Sequence, residues 1–153
     1  MYVIDTSSLI ELNRHYRRQT FGSVWERLDG LIASGVLIAP REVRVELTEG
    51  DDALVPWARG LAGFFVDPDD DQGNVVADIH SRFPKFIELM KPHDADPWCI
   101  ALAVVRARSA SGAPWIVVNQ ERVTHPHKMP AVCREFSMTS MRLLDFFDAL
   151  GGF

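Results

Sequence analysis

A chain of 153 residues, 47% of them hydrophobic, is long enough to bury its own core, so we expect a single domain over residues 1–153. The formal net charge of −5 at pH 7 excludes a protein that holds nucleic acid through its overall charge. Two cysteines exclude a disulfide framework, and no stretch reaches the roughly 18 apolar residues of a membrane-spanning helix, so we expect a soluble, cytoplasmic protein.

Short apolar runs alternate with helical patterns along the chain. The runs predict buried strands over residues 1–4, 36–39 and 115–118, and an edge strand near residues 136–138. Apolar residues at helical spacing predict a first helix from Ser7 or Ser8 and further helices over residues 21–34, 41–47, 98–105 and 141–150. This alternation predicts an α/β fold, a three-layer α/β/α sandwich with a central, mostly parallel sheet of four to five strands.

The helix ends carry their own signals. Gly35 is placed to end the second helix, and Asp96 followed by Pro97 predicts the N-cap and first residue of the helix over residues 98–105. That helix contains no charged residue, so we expect it to lie at the centre of the domain. Thr139 or Ser140 is placed to cap the last helix.

Four acids occur at or near the predicted ends of these elements. Asp5 and Glu121 follow strands, Glu46 lies on the helix after the second strand, and Asp96 opens the central helix. Because ligands bind at the carboxyl ends of parallel strands, we expect the four carboxylates to converge at one edge of the sheet. The alternative for Asp5 and Asp96 is a purely structural role, in which each only caps a helix.

Converging carboxylates would need a counter-ion. Two of them about 4 Å apart repel by roughly 4 kcal/mol at an effective dielectric constant near 20. Oxygen-only ligands favour Mg²⁺ or Mn²⁺ over zinc. A zinc site at His125 and His127 would need further ligands at set spacing, which the sequence lacks. A phosphatase would need a second aspartate two residues after Asp5, where Ser7 stands.

The densest basic cluster contains Arg14, His15, Arg17 and Arg18. Such a run is usually a solvated helix face or loop. The functional alternative is a set of contacts to an RNA phosphate backbone beside the acids, with Arg14, Arg17 and Arg18 as the RNA-binding residues.

Four segments, in order, resemble the signature segments of PIN-domain nucleases. They read VIDTSSL (residues 3–9), PREVRVEL (40–47), DPWCIALA (96–103) and VVNQE (117–121). Together they span nearly the whole chain, and the Asp-Pro start of the third segment is similar to an uncharacterised PIN-like branch. The resemblance implies a metal-dependent endoribonuclease that cleaves single-stranded RNA. It further implies a toxin restrained by an antitoxin protein, often as a homodimer.

The resemblance also assigns roles to individual residues. Asp5, Glu46, Asp96 and Glu121 would ligate or position Mg²⁺ or Mn²⁺ and carry catalysis, and Ser7 would be auxiliary. Asp94, an extra acid beside the third segment, and Asn119 are further auxiliary candidates outside the family pattern. The fourth segment departs from the family pattern, since Asn119 and Glu121 stand where Thr and Asp are common. This departure leaves an alternative function open, a catalytically silent PIN-like module that binds RNA or protein.

Overall fold

The structure is a computed structural model that describes residues 1–50, 54–87, 91, 93–109 and 113–152. Its strands are β1 (Tyr2–Ile4), β2 (Leu37–Pro40), β3 (Phe65–Val66), β4 (Ile116–Val118) and β5 (Thr139–Met141). Its helices are α1 (Thr6–His15), α2 (Gly22–Ala33), α3 (Arg41–Gly50), α4 (Val55–Arg59), α5 (Asp70–Arg82), α6 (Asp96–Ser109), α7 (Met129–Glu135) and α8 (Leu143–Ala149).

All five strands are parallel and form one sheet in the order β3-β2-β1-β4-β5. In the central strand, Val3 pairs with Ile38 of β2 on one side and with Val117 of β4 on the other. These side chains are buried because helices cover both faces of the sheet, which makes short apolar runs stable as parallel strands. The predicted α/β/α fold is confirmed, with five strands in the sheet.

The strand order changes direction once. From β1 the chain moves to β2 and β3 on one side, and then crosses to β4 and β5 on the other. The crossing leaves a crevice between the carboxyl ends of β1 and β4, the position where open α/β sheets bind ligands. Asp5 follows β1 and Asn119 follows β4, so the fold places polar residues at the mouth of this crevice.

Helix α6 is the buried central helix that its apolar run predicts. Residues 99–103 are fully buried, and the helix packs against α5 and against β1, β2 and β4. It begins at Asp96 and not after it, because the Ala95 carbonyl accepts the first helical bond from the Cys99 N–H at 2.9 Å. The prediction of Asp96 as N-cap was therefore wrong by one residue. The Asp94 carboxylate instead accepts the Asp96 N–H, at 3.3 Å.

The C-terminal elements differ from the prediction. The edge strand β5 covers Thr139–Met141, where it pairs with β4, and not residues 136–138. Helix α7 ends at Glu135, and Ser137 then adopts a left-handed backbone conformation (φ 57°) that turns the chain before the strand. Thr139 and Ser140 therefore cannot cap the last helix. Its N-cap is Arg142, whose N–H donates to the Asp145 carboxylate.

Three smaller predictions can be compared directly with the structure. Gly35 directly follows the C-cap residue of α2 with a positive φ of 69°, a conformation that favours glycine. Cys99 and Cys133 are both free and buried. No helix in the described part of the chain is long and apolar enough to cross a membrane.

Candidate metal centre

A cleft of about 350 Å³ opens at the carboxyl ends of β1 and β4. It is lined by Asp5, Thr6, Ser7, Ile10, Glu46, Lys91, Asp96, Gln120 and Glu121. All four acids singled out from the sequence therefore line one cleft, although they come from four separate segments of the chain.

Asp5 is the most buried acid of the cleft, with 2% of its surface exposed. It caps α1, because its Oδ1 accepts the Ser8 N–H at 2.7 Å, while its Oδ2 accepts the Ser7 hydroxyl at 2.5 Å. Burial nevertheless raises the pKa of Asp5 to about 6, and the nearby charge of Glu121 adds to this rise. The carboxylate is thus both a cap and an acid whose negative charge is poorly tolerated.

Asp96 faces the same negative surroundings from the start of α6. Burial raises its pKa well above the usual value, and the charges of Asp5 and Asp94 raise it further. Glu121 acts in the same direction, and the ammonium group of Lys91 opposes it. Asp96 is therefore an acid that favours either a proton or a cation.

Glu46 reaches the cleft from α3, and its side chain is only 8% exposed. The Thr6 hydroxyl donates to Oε2, and the Ala95 N–H donates to Oε1 at 3.1 Å. Lys91 Nζ lies 2.5 Å from the same Oε1. Burial lowers the pKa of Lys91, but its hydrogen bond to Glu46 and the surrounding carboxylates raise it above the usual value.

Glu121 is held by the turn that follows β4. Its N–H donates to Oδ1 of the buried Asn119 at 2.9 Å, and its Oε2 accepts the Met129 N–H at 2.5 Å. Lys128 Nζ lies 3.0 Å from Oε1. Asn119 also donates its own N–H to the Met141 carbonyl of β5. Asn119 therefore acts on the site by positioning Glu121.

Replacing Asn119 with alanine is expected to destabilise the protein by about 1–2 kcal/mol, because the Glu121 N–H loses its acceptor in a region shielded from water. Urea unfolding of the variant measures this difference. Gln120→Ala is the matched control, since Gln120 lines the cleft next in sequence and its loss should change stability by less than about 0.5 kcal/mol. Equal losses in the two variants would contradict the positioning role.

The four acids supply the oxygen donors that Mg²⁺ and Mn²⁺ prefer. Among the described residues, however, no three His, Cys, Asp or Glu side chains already stand where they could hold a metal ion together. Lys91 and Lys128 hold Glu46 and Glu121 in ion pairs. The donor chemistry therefore fits a divalent ion, provided that at least one glutamate exchanges its lysine for the metal.

Replacing Lys91 with methionine is expected to tighten Mn²⁺ binding by up to about 10-fold, because the ion no longer competes with an ammonium group for Glu46. The same change should lower the stability of the metal-free protein by roughly 1 kcal/mol, since Glu46 loses its counter-charge and Lys91 is partly exposed. Isothermal titration and thermal unfolding measure the two effects. Lys85→Met, at an exposed lysine outside this cleft, should change neither. Weaker Mn²⁺ binding by Lys91→Met would show that the lysine assists the metal.

Sequence reasoning missed three residues of the site, namely Thr6, Lys91 and Lys128. Thr6 stands beside Asp5 at the start of α1, and that adjacency was its only local signal. The lysines belong to segments without a helical or strand pattern, and their partners Glu46 and Glu121 are assigned by the tertiary structure.

The predicted RNA-binding arginines lie outside the acidic cleft. Arg14, Arg17 and Arg18 line a separate pocket near the far end of α1. Arg18 is engaged there, because its Nη2 lies 2.5 Å from Oδ2 of Asp29 on α2. The auxiliary residues Ser7, Asp94 and Asn119 all contact an acid or its backbone in the cleft.

A family model described as "Domain of unknown function (DUF4411)" matches residues 2–152, nearly the whole chain. No curated protein and no solved structure matches.

Proposed function

We propose that this chain, which belongs to the DUF4411 family, is a Mg²⁺- or Mn²⁺-dependent endoribonuclease that cleaves single-stranded RNA. One observation carries the proposal: acids from four separate segments line a single cleft at the switch point of a parallel sheet. Such a concentration of carboxylates is costly for folding, since burial and neighbouring negative charges raise the pKa values of Asp5 and Asp96. A cost of this kind at a concave site is a reason to infer a cation-dependent function.

Asp5, Asp96 and Glu121, with Glu46 after release from Lys91, are the residues that would hold the ion. A bound Mg²⁺ or Mn²⁺ supplies an activated water and offsets the negative charge that develops on a phosphate under attack. The chain itself orients the acids: the Ser7 hydroxyl and Ser8 N–H fix Asp5, and the Asn119 turn fixes Glu121.

The two lysines would have a second role, as contacts to the RNA. Lys91 lines the cleft and Lys128 pairs with its residue Glu121; their side chains are 38% and 41% exposed, so their ammonium groups are accessible to a phosphate in solvent. Each is a flexible point charge that can pair with a backbone phosphate without sequence preference. In this proposal the lysines neutralise the empty site and then help to hold the RNA.

Incubation of purified protein with single-stranded RNA tests the proposal. Cleavage should require Mn²⁺ or Mg²⁺, stop on addition of EDTA and resume when excess metal is restored. Heat-denatured protein and a double-stranded RNA of the same sequence serve as controls. If no cleavage occurs over a broad range of metal, pH and RNA sequence, the nuclease proposal is wrong.

The second candidate is a catalytically silent module that binds RNA or protein. The ion pairs of Lys91 with Glu46 and of Lys128 with Glu121 favour it, because lysines alone can neutralise these acids permanently. Isothermal titration with Mn²⁺ separates the two candidates. Binding in the micromolar to millimolar range supports the nuclease, whereas no detectable binding supports the silent module.

A role as a cytoplasmic toxin controlled by an antitoxin protein, with a homodimer as the active form, is part of the same proposal and is supported by the resemblance of the four segments to PIN-domain nucleases. Inducible expression in bacteria should slow growth, and Asp96→Asn should relieve the effect. Size-exclusion chromatography with light scattering tests the dimer separately.

A further inference from the structure

A second cavity of about 540 Å³ lies near the end of α1 and is larger than the acidic cleft. It is lined by Asn13, Arg14, Arg17, Arg18, Gln19, Trp25, Leu54 and Trp57, and we call it the arginine–tryptophan pocket. Positive side chains and aromatic rings around one cavity are the combination that binds single-stranded nucleic acid.

The inner wall of this pocket is built by fixed contacts. The rings of Trp25 and Trp57 meet edge to face, with centroids 5.4 Å apart. Arg18 lies over Trp25 and pairs with Asp29, and Asp29 also accepts the Trp57 indole N–H at 3.1 Å. Trp25 is buried, whereas Trp57 remains partly accessible. Contacts to neighbouring side chains therefore hold both rings in place, and Trp57 is the one of the two that a ligand in the pocket can reach.

Two arginines that line the pocket, Arg14 and Arg17, take no part in the contacts described for its inner wall. Arg14 is 66% exposed, and its ion pair with Glu11 is long, at 3.7 Å. The guanidinium group of the exposed Arg17 makes no ion pair with any residue that the structure describes. These two arginines can meet an anion at little cost, because neither has to leave a strong partner.

Helix α1 connects the pocket to the acidic cleft. Thr6 and Ile10 line the cleft, while Asn13 and Arg14 line the pocket, and this spacing places all four on one face of the helix. Asn13 lies seven positions after Thr6, which is about 10 Å at the helical rise. A nucleic acid strand covers that distance with about three nucleotides at duplex spacing, and with fewer when extended.

We propose that the arginine–tryptophan pocket binds a nucleotide of the RNA substrate, two to three positions from the phosphate held at the acidic cleft. Arg14 and Arg17 take the phosphates, and the base lies against Trp57. The inference rests on the proposed ribonuclease function, since the pocket is assigned to the same strand. Phosphate binding at this pocket would also account for the arginines that are concentrated beside it in a protein whose net charge is −5.

Binding of a labelled ten-residue oligoadenylate to the full chain in EDTA tests the pocket independently of cleavage. The double variant Arg14→Ala/Arg17→Ala should weaken binding at least about 10-fold and lower the slope of log K against log salt by about 1.4, the value for two phosphates of a single strand. The matched control is Arg106→Ala/Arg108→Ala. It removes the same charge from the exposed C-terminal turn of α6, outside the pocket, and should change binding by less than about 3-fold.

Tryptophan fluorescence supplies a second, local measurement. Oligoadenylate should quench the emission of the wild type, and Trp57→Phe should remove most of the quenching, because the base then lies against a phenylalanine ring and no longer against an emitting indole. Thermal unfolding of each variant checks that it is folded.

Two results would overturn the proposal. If Arg106→Ala/Arg108→Ala weakens oligoadenylate binding as much as Arg14→Ala/Arg17→Ala does, the effect comes from the overall charge of the protein and not from the pocket. Adenosine monophosphate binding as tightly as the oligoadenylate would identify a site for free nucleotides and not for a strand. Oligoadenylate binding through the pocket without metal-dependent cleavage would leave this inference standing and reject only the nuclease function.

Discussion

Replacing Asp96 with asparagine is expected to reduce metal-dependent RNA cleavage by at least about 100-fold. Asp96 lines the cleft with Asp5 and Glu121, and burial, together with the charges of these neighbouring acids, raises the pKa of its carboxyl group well above the usual value. Loss of a residue that only supports a metal ligand already costs about 10–100-fold in metal affinity or activity, and loss of a ligand costs more. Initial rates with Mn²⁺ at pH 7.5 measure the effect.

Asp78→Asn is the matched control for Asp96→Asn. It removes the same charge from an exposed position on α5, where Asp78 pairs with Arg82, so cleavage should stay within about 2-fold of the wild type. The Asp96 variant must also remain folded, and its metal-free melting temperature should be unchanged or higher because a repulsive charge is gone. Cleavage by Asp96→Asn at the wild-type rate would remove Asp96 from the catalytic site.

Replacing Asp5 with asparagine is expected to stabilise the metal-free protein by up to about 3 kcal/mol at pH 7. Burial raises the pKa of Asp5 from 3.8 to about 6, and each pKa unit corresponds to about 1.4 kcal/mol between folded and unfolded states. Asparagine removes the buried charge and still accepts the Ser8 N–H as a helix cap. For a chain of this length a gain of about 3 kcal/mol corresponds to a rise of roughly 6–12 °C in melting temperature.

The stability difference between the wild type and Asp5→Asn should depend on pH. Below about pH 4 Asp5 is protonated in both states, so the wild type and Asp5→Asn should differ little. As the pH rises from about 4 to 6, the unfolded chain loses this proton first, and the wild type loses stability relative to the variant. Above about pH 6 the difference should be constant. A variant less stable than the wild type by more than about 1 kcal/mol at pH 7 would show that Asp5 serves mainly as a cap.

Saturating Mn²⁺ should reverse the order of the two proteins. The metal stabilises the wild type by binding the folded state, whereas Asp5→Asn has lost a ligand and gains less. Stability measured with and without Mn²⁺ distinguishes two cases. In a metal site the Asp5 charge destabilises the protein only in the absence of the ion, whereas in a site that binds no metal it does so in both conditions. Melting curves in EDTA and in excess Mn²⁺ give both values on the same preparations.

Local patterns in the sequence were sufficient for most of the secondary structure. The runs before Asp5 and before Asn119 form strands because short apolar segments covered by helices on both sides are stable in a parallel sheet. The uncharged run over residues 98–105 likewise predicts the buried helix α6. The errors lie at element ends, as at Thr139 and Ser140, where a strand pairing with β4 and not the local capping residues decided the outcome.

The sequence by itself determined which acids follow β1 and β4, that Asp96 opens the buried helix, and that arginines are concentrated around Arg17. Only the tertiary structure decided that β1 and β4 are neighbours, that α3 carries Glu46 to the same cleft, and that Lys91 and Lys128 neutralise the two glutamates. The reason is physical. Strand and helix periodicity depends on residues a few positions apart, whereas the meeting of charges depends on how distant elements pack.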